Sequence, residues 1–320
     1  MTDTAHLNRM RAAVIAETVI QLGLTDVVLS PGARNTPLVL LFHDMREAGW
    51  NIHLHSVLDE RSAAFYALGI ARRTDRPVLL SCTSGSAGAH YFPAVVEASE
   101  GQVPLLIVTA DRPEELQGRG APQTMPQQNL YGPHVRMFCD LGSPSTNNND
   151  DQTRSTVKRA FQVALGEAPG PVHLNAPFRK PLWKPEGHTP TPVSSLAPHQ
   201  RVPLQAVDID VQRLQSETRA KRGIIVVGPD PSARISSTAI HELSEHLGWP
   251  VLADPVSQLR YDGSPSVIHH HDVLLRSNTF VDKMRPEMAI TVGGTTSSKP
   301  LATLLGNTPC VHISRNERLK

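Results

Sequence analysis

The sequence predicts an α/β protein: a doubly wound parallel sheet followed by a second α/β domain. Three observations carry this. Short apolar, β-branched runs alternate with amphipathic stretches from the N-terminus to about residue 175, the pattern of strands joined by crossover helices. Four of those runs end in short polar turns. A proline-rich, non-periodic stretch then separates them from a second set of runs, as an extended linker does. The expected division is 1–182 for the first domain, 183–203 for the linker and 204–320 for the second domain.

Residues 3–22 place Leu7, Met10, Val14, Ile15, Val19 and Leu22 at helical spacing, and Gly23 stops the helix. Val27-Val28-Leu29 reads as a buried strand. A helix over 36–47, a strand over 52–57, a helix over 62–73 and a strand over 78–82 follow. Residues 87–100 read as one helix despite Pro93, and 105–109 as the fourth strand. A polar surface loop is expected over 142–152, then a helix over 153–165 and a strand over 171–175. The second domain, starting near residue 207, is expected to hold a strand over 223–228 and a helix over 232–247. Further strands are expected over 250–253, 288–294 and 310–313.

A formal net charge of +1 over 320 residues makes no electrostatic case for nucleic acid or a membrane surface. Cys82, Cys139 and Cys310 lie far apart without CxxC spacing, which argues for free thiols rather than disulfides or a zinc ribbon. The N-terminus lacks the charged segment and apolar core of a signal peptide. No run approaches the roughly eighteen apolar residues of a membrane span. A soluble cytoplasmic protein is expected.

The chemistry concentrates in the four turns. They are Ser-Pro-Gly-Ala-Arg-Asn-Thr from Ser30, Leu-Asp-Glu-Arg-Ser from Leu58, Thr-Ser-Gly-Ser-Ala from Thr83 and Thr-Ala-Asp-Arg-Pro from Thr109. An open α/β sheet gathers the carboxyl ends of its strands along one edge, where ligands bind. The turns therefore describe one cleft offering a carboxylate, two guanidinium groups and small-residue backbone. Taken singly, each feature has an ordinary reading. Glu60 is a carboxylate at a helix N-terminus, favoured there by the dipole. Thr83-Ser84-Gly85 is either a helix cap or a cradle of backbone N–H groups for an anion. Arg34 and Arg112 at one edge beside Gln123 suit bidentate recognition of carboxylates. His269-His270-His271, expected on an extended segment, would point to alternate sides and make a poor metal site. Gly293-Gly294 lacks the rest of a dinucleotide fingerprint.

In order along the chain, these segments resemble the thiamine-diphosphate synthases of menaquinone biosynthesis, the 2-succinyl-5-enolpyruvyl-6-hydroxy-3-cyclohexene-1-carboxylate synthases. The resemblance rests on the four turns together with Tyr-Phe-Pro-Ala-Val-Val-Glu-Ala, Gly-Ala-Pro-Gln-Thr and Gly-Pro-Val-His-Leu-Asn-Ala-Pro-Phe. It implies a pyrimidine-binding domain followed by a central α/β domain. It also implies that Glu60 hydrogen-bonds the aminopyrimidine ring as the catalytic carboxylate, and that Thr83, Ser84 and Gly85 meet the same ring. Arg34, Arg112 and Gln123 would hold isochorismate, and Lys299 would reach into the substrate cleft from the central domain. The implied reaction is decarboxylation of 2-oxoglutarate and conjugate addition of the succinyl unit to isochorismate. Thiamine diphosphate and Mg²⁺ are the implied cofactors, and a homodimer or homotetramer with shared sites is the implied assembly.

Ala33, Pro122 and Pro300 replace residues that are commonly serine, asparagine and arginine in the family, each change removing a polar contact near the substrate. A Gly-Asp-Gly motif followed by paired asparagines, which binds the diphosphate through Mg²⁺ in such enzymes, is absent from the sequence. The expectation is therefore a fragment, inactive alone. The rival reading is a stand-alone, non-catalytic binding protein derived from the family.

Overall fold

Alternate side chains of each strand face opposite ways, and this builds the first unit. Val27, Leu29, Leu79, Leu106 and Val108 join one apolar cluster, while Val28, Val78, Leu80, Leu105 and Ile107 join another. The two clusters are the two faces of a single sheet. The computed structural model describes residues 3–146, 150–184, 211–218, 221–230, 235–260 and 262–313. It forms two units, Met1–Val202 and Pro203–Lys320.

The first unit runs α1 (Thr4–Gln21), β1 (Asp26–Leu29), α2 (Thr36–Glu47), β2 (His53–Ser56), α3 (Glu60–Thr74) and β3 (Val78–Cys82). It continues with α4 (Phe92–Glu100), β4 (Leu105–Asp111), β5 (Met137–Asp140), α5 (Asp150–Leu165) and β6 (Pro171–Pro177). The strands pair in parallel in the order β2-β1-β3-β4-β6-β5. Apolar residues of α1, α2 and α5 cover one face, and those of α3 and α4 the other. The expected doubly wound sheet is therefore present. Its order reverses at β1, which has β2 on one side and β3 on the other. Such a reversal opens a crevice at the strands' carboxyl ends.

Local chemistry sets the helix ends. Asp3 caps α1 by accepting from Ala5 N at 3.1 Å. Asp59 caps α3 by accepting from Ser62 N at 2.8 Å, a contribution of about 1 kcal/mol. Three readings of the sequence are corrected. The helix expected over 87–100 is a 3-10 turn, Gly88–Tyr91, followed by α4, because Pro93 is accommodated only in the first turn of a new helix. β5 was not expected: it is a half-buried edge strand of four residues without a long apolar run. α5 starts at Asp150, inside the expected polar loop, of which residues 147–149 lie outside the described residues.

The second unit contains α6 (Val211–Thr218), β7 (Gly223–Val227), α7 (Ser237–Leu247), β8 (Val251–Ala253), α8 (His271–Leu274), α9 (Asn278–Met284), β9 (Met288–Val292), α10 (Lys299–Gly306) and β10 (Cys310–Ile313). Its strands are parallel in the order β10-β9-β7-β8. Ile225, Val251 and Ile290 pack with Ile240 of α7, whereas Ile224, Leu252 and Ala289 pack with Leu301 of α10. The short helices α6, α8, α9 and α10 carry too few turns to show a period and were not expected. The histidine run is not extended: His270 precedes α8 and His271 opens it, its buried Nδ1 3.0 Å from the Ile268 carbonyl. Within the expected linker 183–203, only Trp183 and Lys184 are among the described residues. Residues 204–210 and Lys320 also lie outside them. The helix expected from 232 begins only at Ser237, because Ser236 is extended and caps it by accepting from Ala239 N.

No described helix is long and apolar enough to cross a membrane.

Candidate functional site

β1 and β3 flank the reversal of strand order, so the turns after them, Ser30–Asn35 and Thr83–Gly85, meet in the crevice. Thr83 joins them: its Oγ1 accepts from Arg34 N at 3.0 Å. The approach requires glycine at position 32, where a Cβ would lie 2.6 Å from Thr83 Cβ. Asn35 holds the first turn from inside, accepting from Gly32 N at 2.8 Å and donating to the Ser30 carbonyl at 3.0 Å.

Arg34 is buried at 3 % exposure. Its Nη1 donates to the Phe178 carbonyl at 2.6 Å, while its Nε is buried without a partner among the described residues. Burial, followed by the charge of Arg112, lowers its pKa to about 10. Two cations near enough to disfavour each other, one with an unspent donor, form a site for an anion. Arg112 is half-buried, and its Nη2 donates to the Pro122 carbonyl at 3.1 Å. Asp111, which offsets some of this charge at Arg34, is 2 % exposed, and burial raises its pKa.

Thr83 and Ser84 are buried, and Gly85 adopts φ +86°, a conformation that favours glycine. Ser84 Oγ donates to the Gln123 carbonyl at 3.2 Å, and Gln123 Nε2 donates to the Ser84 carbonyl at 3.1 Å. Gln123 is thus brought to the Thr83–Gly85 turn, with its own backbone at φ +57°. Glu60, the first residue of α3, is half-buried. Its carboxylate has no hydrogen-bond or ion-pair partner among the described residues. Its charge reaches Cys82 at the end of β3, where, after burial, it helps push the thiol pKa up.

The structure therefore brings together Arg34, Glu60, Thr83, Ser84, Gly85, Arg112 and Gln123 along one edge of the first sheet. Lys299 belongs to the second unit, where it is exposed on the first turn of α10. Asp254 braces the loop before it, accepting from Ser297 N at 3.1 Å and Ser297 Oγ at 2.9 Å. Asp272 accepts from Ser298 Oγ at 2.6 Å. Pro300 takes a first-turn position that needs no N–H. Gly294 packs closely against Gly228, where a Cβ would lie 1.8 Å from the Gly294 carbonyl oxygen.

A polar layer beneath the turns was missed. Thr109, Asp111, Gln127, His173 and Asn175 are all buried and joined by hydrogen bonds. His173 and Asn175, two residues apart in an otherwise apolar run, were the available signal: alternation puts them on one face of a buried strand. A depression of about 550 Å³ in the second unit, lined by Leu275, Val281, Arg285, Pro300, Leu304 and Asn307 among others, includes none of the expected site residues. Among the described residues, no group of three or more His, Cys, Asp or Glu side chains is arranged to hold a metal ion.

Residues 10–130 match the thiamine pyrophosphate enzyme N-terminal TPP binding domain, and residues 194–310 match the middle domain of thiamine pyrophosphate enzymes. By these two domains, the chain belongs to the thiamine pyrophosphate enzymes. Within that class it is similar to 2-succinyl-5-enolpyruvyl-6-hydroxy-3-cyclohexene-1-carboxylate synthases. It is 40% identical to the Listeria innocua protein of that name over 95% of this chain and 53% of the relative. Identity to the Myxococcus xanthus synthase is 39%, covering 92% of this chain and 51% of the relative. For the Geobacillus kaustophilus synthase the figures are 40%, 91% and 51%. The chain spans about half the length of the curated relatives it matches.

Proposed function

We propose that this chain supplies the pyrimidine-binding side of a thiamine-diphosphate site and the carboxylate-binding side of its substrate site. The enzyme concerned is a synthase that decarboxylates 2-oxoglutarate and adds the succinyl unit to isochorismate, a step toward menaquinone. The observation that carries the reading is the buried, unpartnered Nε of Arg34 beside Arg112 at the crevice. A dicarboxylate substrate would satisfy that donor and offset the repulsion between the two cations.

The residues fit the cofactor's ring. Glu60 offers a carboxylate with no partner among the described residues, and the Thr83–Gly85 turn brings only small residues to the crevice. Glu60 would hold a proton at the ring nitrogen, and Thr83, Ser84 and Gly85 would shape the surface beneath the ring. Bound thiamine diphosphate supplies a nucleophilic carbon and an electron sink for the loss of CO₂ from a 2-oxo acid. In that reaction the bond between C1 and C2 of 2-oxoglutarate breaks, and C2 forms the new bond to the isochorismate ring. Arg34, Arg112 and Gln123 would orient isochorismate, and the two cations would stabilise negative charge developing on it. Lys299 is proposed as a further cation toward the same substrate. Mg²⁺ is proposed for the diphosphate end. It has no ligand set among the described residues.

A homodimer or homotetramer completes the proposal. Leu58, Phe65 and Tyr66 are exposed large hydrophobics at the start of α3, beside Glu60. A second subunit seated there would bury them and take the Glu60 carboxylate out of water.

The test uses full-length protein with thiamine diphosphate, Mg²⁺, 2-oxoglutarate and isochorismate. Release of CO₂ coupled to loss of isochorismate is expected, with loss of isochorismate affinity in Arg34→Met. No coupled turnover would overturn the assignment.

A further inference from the structure

We infer that Gln127 is a positioning residue that ties the pyrimidine-facing turn, Thr83–Gly85, to the substrate-facing turn at Asp111–Arg112. The inference rests on the functional reading above and adds a residue and a coupling that the motifs did not indicate.

Gln127 is 1 % exposed, and its side-chain amide is fully committed. Oε1 accepts from Gly85 N at 2.8 Å. Nε2 donates to the Ala110 carbonyl at 3.1 Å and to Asn175 Oδ1 at 3.1 Å. Only this orientation of the amide serves all three neighbours, because flipping it would set donor against donor at Gly85 and acceptor against acceptor at Ala110. One side chain therefore spans from the turn after β3 to the end of β4, just before Asp111 and Arg112.

The contact continues in a defined direction. Asn175, fully buried, spends its Oδ1 on Gln127 and Thr109. Its Nδ2 donates to Asp111 Oδ2 at 2.9 Å. The other oxygen of Asp111 accepts from Arg112 N at 2.7 Å. A shift of the Thr83–Gly85 turn thus reaches the backbone of Arg112 through Gln127, Asn175 and Asp111. Buried, hydrogen-bonded networks of this kind hold one arrangement because breaking one member strands its neighbours. Gly85, with its left-handed backbone, and Arg112 are the two ends that must keep register for a ring and a carboxylate to be bound together.

The experiment compares full-length wild type, Gln127→Ala and Gln127→Glu with Phe161→Leu, a core change on α5 outside the network. It measures exchange of the Gly85 amide without ligand, the Kd for thiamine diphosphate with Mg²⁺, the KM for isochorismate, and Tm. Both Gln127 variants are expected to raise the Kd and the KM together by about 10- to 100-fold, the scale of a small misplacement. Gln127→Ala is expected to accelerate Gly85 exchange at least about tenfold by freeing its N–H. Phe161→Leu should lose a comparable Tm with Kd, KM and exchange near wild type. Gln127 variants that bind both ligands like wild type, or weaken only as Phe161→Leu does, would overturn the inference. A wild type that binds neither ligand overturns the functional reading instead. Exchange at Gly85 then decides the tie alone, and unchanged exchange in Gln127→Ala rejects it.

Discussion

Ser84 and Gln123 hold each other through two reciprocal hydrogen bonds, Ser84 Oγ to the Gln123 carbonyl at 3.2 Å and Gln123 Nε2 to the Ser84 carbonyl at 3.1 Å. They lie 39 residues apart, so the loop after β4 is anchored to the turn after β3. Gly85, next to this pair, has little room for a larger residue, since an added Cβ would meet Gln123 Cγ at 3.0 Å. Glu60, Arg34 and Arg112 border a crevice whose floor is set by this pairing.

Glu60→Gln separates chemistry from folding. The carboxylate has no partner among the described residues, so the substitution should change stability by less than about 0.5 kcal/mol. In the full-length enzyme, kcat should fall by at least about 100-fold if the residue handles a proton at the cofactor. Steady-state kinetics and a thermal melt check both, and near-normal turnover would remove Glu60 from the catalytic role.

Gly32→Ala tests the contact between the first and third turns. A Cβ 2.6 Å from Thr83 Cβ must displace the Thr83 side chain or the turn, at a cost of about 1–3 kcal/mol. Urea unfolding of the first unit should show a lower midpoint. An unchanged midpoint would mean that the turn relaxes freely and does not constrain Arg34.

His173 makes the first unit acid-sensitive. Burial lowers its pKa to about 3 from an ordinary 6.5, so between those values the unfolded chain binds a proton that the folded chain does not. Stability should therefore be fully present above pH 6.5 and fall as pH drops toward 3, with a slope from this group of at most about 1.4 kcal/mol per pH unit. His173→Gln, which offers Thr109 a neutral amide, should flatten that part of the profile. Parallel wild-type and variant curves between pH 6.5 and 4 would rule the explanation out.

Asp254→Asn addresses the loop that carries Lys299. Asp254 is 2 % exposed and accepts from Ser297 N, Ser297 Oγ and Val256 N. An amide cannot accept at both ends, so one part-buried hydrogen bond is lost at a cost of about 1 kcal/mol. Denaturant unfolding of the second unit should register the loss, and amide exchange should rise at Ser297. Protection of Ser297 equal to wild type would show that the loop is held by other contacts.

The α/β pattern of the first unit was legible because its strands are short apolar runs closed by glycine and polar turns, and its long helices show their period. α2, β3 and β10 fall at the expected residues. β5 and α8 to α10 were not legible, since four to eight residues carry too little periodicity to distinguish them from loop. Pro93 was read as tolerated within a helix, whereas the chain uses it to begin one.

By itself the sequence determined which residue types stand at the strand ends: Arg34, Glu60, Thr83-Ser84-Gly85, Arg112 and Gln123 are adjacent to local signals that fold into turns. Strand order is a long-range property that no local signal carries. Only the tertiary structure decided that β1 lies between β2 and β3, which places the Arg34 and Thr83 turns side by side at the reversal of the sheet. It also decided that Gln127, from a loop without periodicity, turns its amide inward between Gly85 and Ala110. The physical reason is that buried polar groups must be paired wherever packing leaves them. Which groups meet depends on how the strands stack, not on their neighbours in the chain.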